Sequence, residues 1–213
     1  FDAADGDGAD YLENTSPTVT AVPLTFACWA KPDDIDDQDG CITLGKTGSA
    51  TYHIALNLRA NGRVEAGVRD SGGLSTSQSD PYEAKTWQHV AAVFASTTNR
   101  LSYLDGVAGT VNTVSRTPTG IDELRIGQYA GTWYRPFDGA IAECAIWNVA
   151  LSAGEVGALA SGLSPLLIQL PSLVSYYPLM GDYQDRFGAN PVTPNNTVVW
   201  SADHPPVMKG TPQ

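Results

Sequence analysis

The segment richest in chemistry is QYAGTWYRPFDG, where Tyr129, Trp133, Tyr134 and Arg135 gather three aromatic rings beside a guanidinium. Aromatic planes stack on the apolar faces of sugar rings while Arg and a nearby Asp fix hydroxyls, so this composition suits a carbohydrate ligand. The competing reading is that Trp133 and Tyr134 cover a sheet edge or a contact between subunits. Trp29, Trp87, Trp147 and Trp200 fall in strand-like patterns and are expected in the core.

Catalysis finds less support. Glycoside hydrolysis needs two carboxyl groups about 5 to 9 Å apart across a sugar, most simply supplied at i, i+2 or i+4 on one strand face. No strand offers that. Asp122 and Glu123 are neighbours that point to opposite faces, and Asp182 and Asp185 lie in a turn-like segment. Solvated or capping roles are expected for all four. His53, His89 and His204 lack metal-ligand spacing, and His89 is read as a structural residue whose ring bonds a neighbouring loop. The chain contains no Gly-x-Ser-x-Gly elbow, phosphate loop or Cys-x-x-Cys pair.

Calcium is the open metal question, because it takes about six to eight oxygens and the loops here are acidic. Asp33, Asp34, Asp36, Asp37 and Asp39 precede Gly40. Counting back from Gly40 reaches Asp39, Asp37 and then Ile35, and that Ile rules out a helical calcium-binding loop.

The elements that must position these residues are strands. In LTFACWAKP, Leu24, Phe26 and Cys28 share one face while Thr25, Ala27 and Trp29 share the other. Runs at CITLGK, TYHIALNLRANG, RVEAGVRDSGG and TWQHVAAVF through LSYLDG end in Gly, Asn-Gly, Ser-Gly or Asp-Gly, the turn chemistry of hairpins. Ser152 precedes Glu155 at capping-box spacing, which predicts one short helix near 152–161 stopped at Gly162. Val174 to Pro178 and Thr197 to Trp200 read as late strands, and the proline-rich end is expected to wrap the surface. The sum is an all-β, two-layer antiparallel jelly-roll sandwich over residues 1–162, with a C-terminal extension over 163–213 that packs on or completes it.

Composition narrows the partners. With 23 acidic against 12 basic residues, the net charge of −11 repels phosphate lattices, which sets nucleic acid aside. No apolar run reaches the about 18 residues of a membrane span, so membrane insertion is not expected. Three Cys (Cys28, Cys41, Cys144) cannot all pair within one chain and are expected as buried thiols. The first residue, Phe1, follows no charged-then-apolar leader, so the start of the chain does not reveal a compartment. Asn14-Thr15-Ser16 and Asn195-Asn196-Thr197 match the glycosylation pattern, which is inert in a phage or bacterial source.

Four segments resemble the concanavalin A-like lectin/glucanase superfamily in its laminin-G-like, pentraxin-related branch. FDAADGDGADYL is similar to the family's opening strand, LTFACWAKP to its Thr-x-x-x-Trp strand, and TWQHVAAVF to its Trp-x-His-Val motif. FDGAIAECAIWNVALSAGEV is similar to the closing strand-plus-helix signature, although Ala142 before Glu143 replaces the first member of an acidic pair found in many relatives. The catalytic branch carries a Glu-x-Asp-x-Glu strand that is missing here. The resemblance implies a structural Ca²⁺ where the opening strand, an early loop and the closing strand meet, held by Asp2, the Asp39-Gly40 turn and Asp138. The tail SPLLIQLPSLVSYYPLMGDYQDRFG resembles extensions of such domains in bacteriophage virions.

Two functions are expected. One is a non-catalytic glycan-binding module on a virion or extracellular surface. The other is a structural virion or decoration protein that acts through protein–protein assembly as a homo-oligomer. An enzyme ranks third and would depend on carboxylates such as Glu143.

Overall fold

The computed structural model describes residues 10–36, 38–188, 190–196 and 199–207. Thirteen strands are assigned among them: β1 (Tyr11–Asn14), β2 (Leu24–Pro32), β3 (Asp39–Gly45), β4 (His53–Leu58), β5 (Arg63–Asp70), β6 (Gly73–Pro81), β7 (Gln88–Ser96), β8 (Asn99–Leu104), β9 (Val107–Ala108), β10 (Glu123–Ile126), β11 (Gly139–Trp147), β12 (Leu173–Tyr177) and β13 (Thr193–Asn195). They form two antiparallel sheets, ordered β13-β1-β10-β3-β4-β5-β6 and β12-β11-β2-β7-β8-β9. The expected all-β jelly-roll sandwich is the fold of this chain.

The hairpins form where the turn residues allow positive φ. Gly62 (φ 74°) closes β4 onto β5, and Asp105 (φ 48°) with Gly106 (φ 79°) closes β8 onto β9. Between the sheets, alternate residues interlock: Phe26 and Cys28 of β2, Ile42 and Leu44 of β3, Val90 and Phe94 of β7, and Ile141 and Ile146 of β11 belong to one core cluster. All three cysteines lie free in that core, and burial raises the Cys28 thiol well above its ordinary value.

One α-helix, α1 (Ala153–Ala160), carries the capping box: Ser152 Oγ accepts the Glu155 N–H, and the Glu155 carboxylate accepts the Ser152 N–H at 2.7 Å. Its Val156 and Leu159 pack with Ala27, Ala91, Ala145 and Trp147 on the outer side of the six-stranded sheet. This second apolar layer explains why β2 and β11 are buried nearly end to end.

The tail does not form a core of its own. β12 pairs with β11 and β13 pairs with β1, so each sheet gains an edge strand, while Tyr177, Leu179 and Val192 join the main core. Of the late strand expected at 197–200, Thr197 and Val198 lie outside the described residues, Val199 is exposed and Trp200 packs half-buried against the core. Trp87, expected in the core, is half-buried in the loop before β7. Asp39 and Gly40 are not a turn but the buried first residues of β3. A Cβ on Gly40 would stand 2.6 Å from the carbonyl carbon of Gln128 and the nitrogen of Tyr129, so glycine is needed for the chain 128–136 to cross here.

Candidate ligand-binding site

The outer face of the seven-stranded sheet follows directly from alternation. While Ile54, Leu56 and Leu58 of β4 turn inward, His53, Ala55 and Asn57 turn outward, facing Arg69, Gly67 and Glu65 of β5 in register. Glu123 and Arg125 of β10 and Thr43 of β3 continue the same face. Thr43, His53, Asn57, Glu65 and Glu123 are buried and Arg69 and Arg125 half-buried, because loop 128–136 lies over them.

The loop is pinned from both sides. Its ends pair through Gln128 and Pro136. Thr43 Oγ1 donates to the Gln128 carbonyl at 2.9 Å and accepts the Ala130 N–H at 2.7 Å. Arg125 donates to the carbonyls of Tyr129 and Gly131, and its guanidinium also pairs with Glu13 and Glu123. Glu123, expected to be solvated or capping, is therefore buried, and burial together with the neighbouring Glu13 pushes its carboxyl up to about 7.

The four expected ligand residues divide. Tyr129 is buried, its ring edge-on to His53 at 5.3 Å, and its hydroxyl accepts a bond from Gln38 Nε2 at 2.6 Å. Trp133 is half-buried between His53 and Arg69, whose guanidinium lies 4.9 Å from its ring centre. Tyr134 and Arg135 are exposed, Tyr134 by 58%. The loop therefore supplies an exposed rim, and its inner half is part of the protein's own packing.

Residues that the sequence reading did not single out complete the site. Arg59 donates to Gln38 Oε1 at 3.2 Å and pairs with Glu65 at 3.3 Å, and Asn57 Nδ2 donates to the other Glu65 oxygen. Burial is the main cause that raises the Glu65 carboxyl, opposed by Arg59. Burial, followed by the charge of Arg69, lowers His53 to about 4, so its ring is neutral at physiological pH. His53 Nε2, Asn57 Oδ1 and Arg69 Nε have no hydrogen-bond partner among the described residues. The available signal was the i, i+2 alternation of polar residues in HIALNL and RVEAGVR, which marks a polar face but not a covered one.

The remaining chemistry lies elsewhere. Asp122 caps the Thr47 N–H, and Asp182 and Asp185 accept loop N–H groups, as expected of capping acids. His89 is structural: its N–H donates to Asp105 Oδ1 and its carbonyl accepts from the Asp105 N–H, both at 2.8 Å, while its Nδ1 has no hydrogen-bond partner among the described residues. The ring lies edge-on to Trp29 and burial lowers it to about 3. On β11 a bulge sets Glu143 and Cys144 opposite Cys28 alone, and Glu143 takes φ 57°. Its carboxylate accepts from Tyr176 Oη at 2.5 Å and lines a hollow of about 10 Å³ with Trp29 and His89, room for about one water. Among the described residues Glu143 is the one carboxylate lining it, where glycoside hydrolysis needs two.

Of the expected calcium ligands, Asp39 is buried in β3, Gly40 donates its N–H to the Arg135 carbonyl, Asp138 is exposed, and Asp2 lies outside the described residues. Among the described residues no group of three His, Cys, Asp or Glu is placed to hold a metal ion.

Two curved antiparallel sheets with a polar, loop-covered outer face define a lectin-type jelly roll. The chain belongs to the concanavalin A-like lectin/glucanases superfamily, whose laminin-G-type model matches residues 5–157. Solved structures agree on the fold. A candidate carbohydrate binding protein from Bacteroides ovatus matches with TM-score 0.61 at 22% identity over 87% of this chain, which spans 57% of that one. The CBM40 of Ruminococcus gnavus IT-sialidase bound to α2,3-sialyllactose matches with TM-score 0.57 at 18% identity, over 67% of this chain and 85% of that one. A heptameric SAP-like pentraxin from Limulus polyphemus matches with TM-score 0.58 at 14% identity, over 91% and 92%. No curated protein matches the chain.

Proposed function

We propose that the protein is a non-catalytic carbohydrate-binding module whose ligand seats on the rim formed by Trp133, Tyr134 and Arg135 of loop 128–136 together with Gln38 and Arg59. The observation that carries this reading is the bonded row Arg59–Gln38–Tyr129, which fixes donors of a defined geometry beside exposed aromatic surface. Three guanidinium groups, those of Arg59, Arg69 and Arg135, gather there in a chain of net charge −11, and they suit hydroxyl and carboxylate oxygens of a glycan. The sialyllactose bound to the Ruminococcus CBM40 and the carbohydrate-binding description of the Bacteroides protein support the same class.

A glycan array with the intact chain tests the proposal, and silence across the array overturns it. Tyr134→Ala and Arg135→Ala are each expected to weaken a positive signal about tenfold, about 1.4 kcal/mol, without moving the melting midpoint. Running the array and a thermal melt with and without EDTA tests the proposed structural Ca²⁺, and an unchanged midpoint removes it.

A second reading, a structural virion or surface-assembly protein, draws on the exposed Leu166, Leu167 and Leu170 and on the heptameric pentraxin likeness. It predicts a stable homo-oligomer in solution. A monodisperse monomer that binds glycans defeats it.

A further inference from the structure

The loop after β12 carries a cavity outside the site above and outside the residues matched by the family model. It has a volume of about 300 Å³ and is lined by residues that include Tyr183, Gln184, Asp185, Gly188 and Asn190. Tyr183 is 37% exposed and Phe187, four residues on, 41%. Phe187 stands outside the lining, so Tyr183 is the ring that the cavity presents.

The loop is built to keep its shape. Asp185 accepts four backbone N–H groups, those of Tyr176, Phe187, Gly188 and Asn190. Asn190 is buried and bonded to Thr18, Val174 and Ser175, and its carbonyl accepts Tyr177 Oη at 2.6 Å. A Cβ on Gly188 would stand 2.0 Å from the Val174 carbonyl oxygen, so the loop is drawn tight against the sheet edge. Little conformational freedom remains to be lost when a ligand docks on Tyr183.

Charge selects the ligand class. The Asp185 carboxylate is consumed by its four N–H groups, and Asp182 is paired with Arg186. The Asp185 negative charge remains, so the cavity offers the Tyr183 ring and the Gln184 amide nitrogen beside a carboxylate that disfavours anionic ligands, the Gln184 oxygen accepting from Arg186 at 3.3 Å. We propose that it is a second carbohydrate-binding surface, specific for neutral oligosaccharides, with a pyranose ring stacked on Tyr183. This site is independent of loop 128–136 and adds to the function proposed above.

The test is an amide NMR titration of the intact chain with cellotetraose, maltotetraose and laminaritetraose. At least one is expected to shift amides within 181–192. Tyr183→Ala should weaken that titration about tenfold and Tyr183→Phe should restore it, while Arg135→Ala leaves it unchanged. Because Tyr183 is partly exposed, the melting midpoint of Tyr183→Ala should match that of the parent. Shifts confined to 128–136 overturn this proposal and leave the first intact. Shifts at 181–192 that Arg135→Ala abolishes also overturn it, as does silence with all three sugars. Concentration-dependent broadening of the same amides without sugar overturns it in favour of self-association.

Discussion

The two sheets present opposite outer faces, and each is covered by a different kind of element. Outside the six-stranded sheet, Ala27, Ala91, Ala145 and Trp147 meet Val156 and Leu159 of the helix, an apolar layer in which the Trp147 indole N–H donates to the Ile168 carbonyl at 2.9 Å. Outside the seven-stranded sheet, His53, Asn57, Glu65, Glu123 and Arg125 meet a loop of irregular backbone. An apolar cover gains from area removed from water and needs little directional geometry. A polar cover has to satisfy each donor and acceptor, and where it does not, at His53 Nε2 and Asn57 Oδ1, the face keeps unused hydrogen-bonding capacity. The first face serves stability, and the proposed recognition falls on the second.

The largest expected break in that comparison is Trp147→Ala, which removes the centre of the apolar layer. It should cost about 3 to 5 kcal/mol in urea unfolding and leave glycan affinity of the folded fraction unchanged. Next is Arg125→Ala, which leaves Glu13 and Glu123 facing one another beneath the loop. It should cost about 3 kcal/mol and, unlike Trp147→Ala, also abolish glycan binding by freeing loop 128–136.

The pH dependence sharpens the same contrast. His53 and His89 are lowered on folding to about 4 and about 3, so the unfolded chain takes up protons near pH 6.5 before the folded chain can. Their contribution to stability is present above pH 6.5 and is lost as pH falls towards 4. Glu123 is raised to about 7, so its carboxyl contributes in the opposite sense, with stability lost as pH rises from about 4.5 to 7. Urea midpoints measured from pH 4 to 7.5 should therefore show a shallower acid limb in His53→Gln and a flatter neutral limb in Glu123→Gln. Unchanged slopes in both variants would remove the polar face from the account. The smallest effect is Ser152→Ala, about 1 kcal/mol from the lost cap, read by the same unfolding curve.

Much of the fold was legible because it rests on local chemistry. Asn61-Gly62 and Asp105-Gly106 place φ above zero where hairpins need it, Ser152 and Glu155 cap the helix reciprocally, and Phe26 and Cys28 alternate with Ala27 and Trp29. Of the proposed site, only the exposed rim was legible. Tyr134 and Arg135 are where the reading of QYAGTWYRPFDG expected a ligand, yet Tyr129 in the same segment is packed inward. Glu123 and Trp87 were misplaced for a related reason, since burial of a side chain depends on what crosses above it and not on its own strand.

Period-two alternation, turn glycines and the capping residues are properties of neighbours in the chain, and they determined the antiparallel sandwich, its short late helix and its family. Only the tertiary structure decided that loop 128–136 folds across β3, β4 and β5, that the tail gives one edge strand to each sheet, and that Asp39 and Gly40 open a strand. Those choices depend on contacts between segments tens to more than a hundred residues apart, such as the Arg125–Glu13 pair and the passage of Gln128 over Gly40, and no local pattern encodes them.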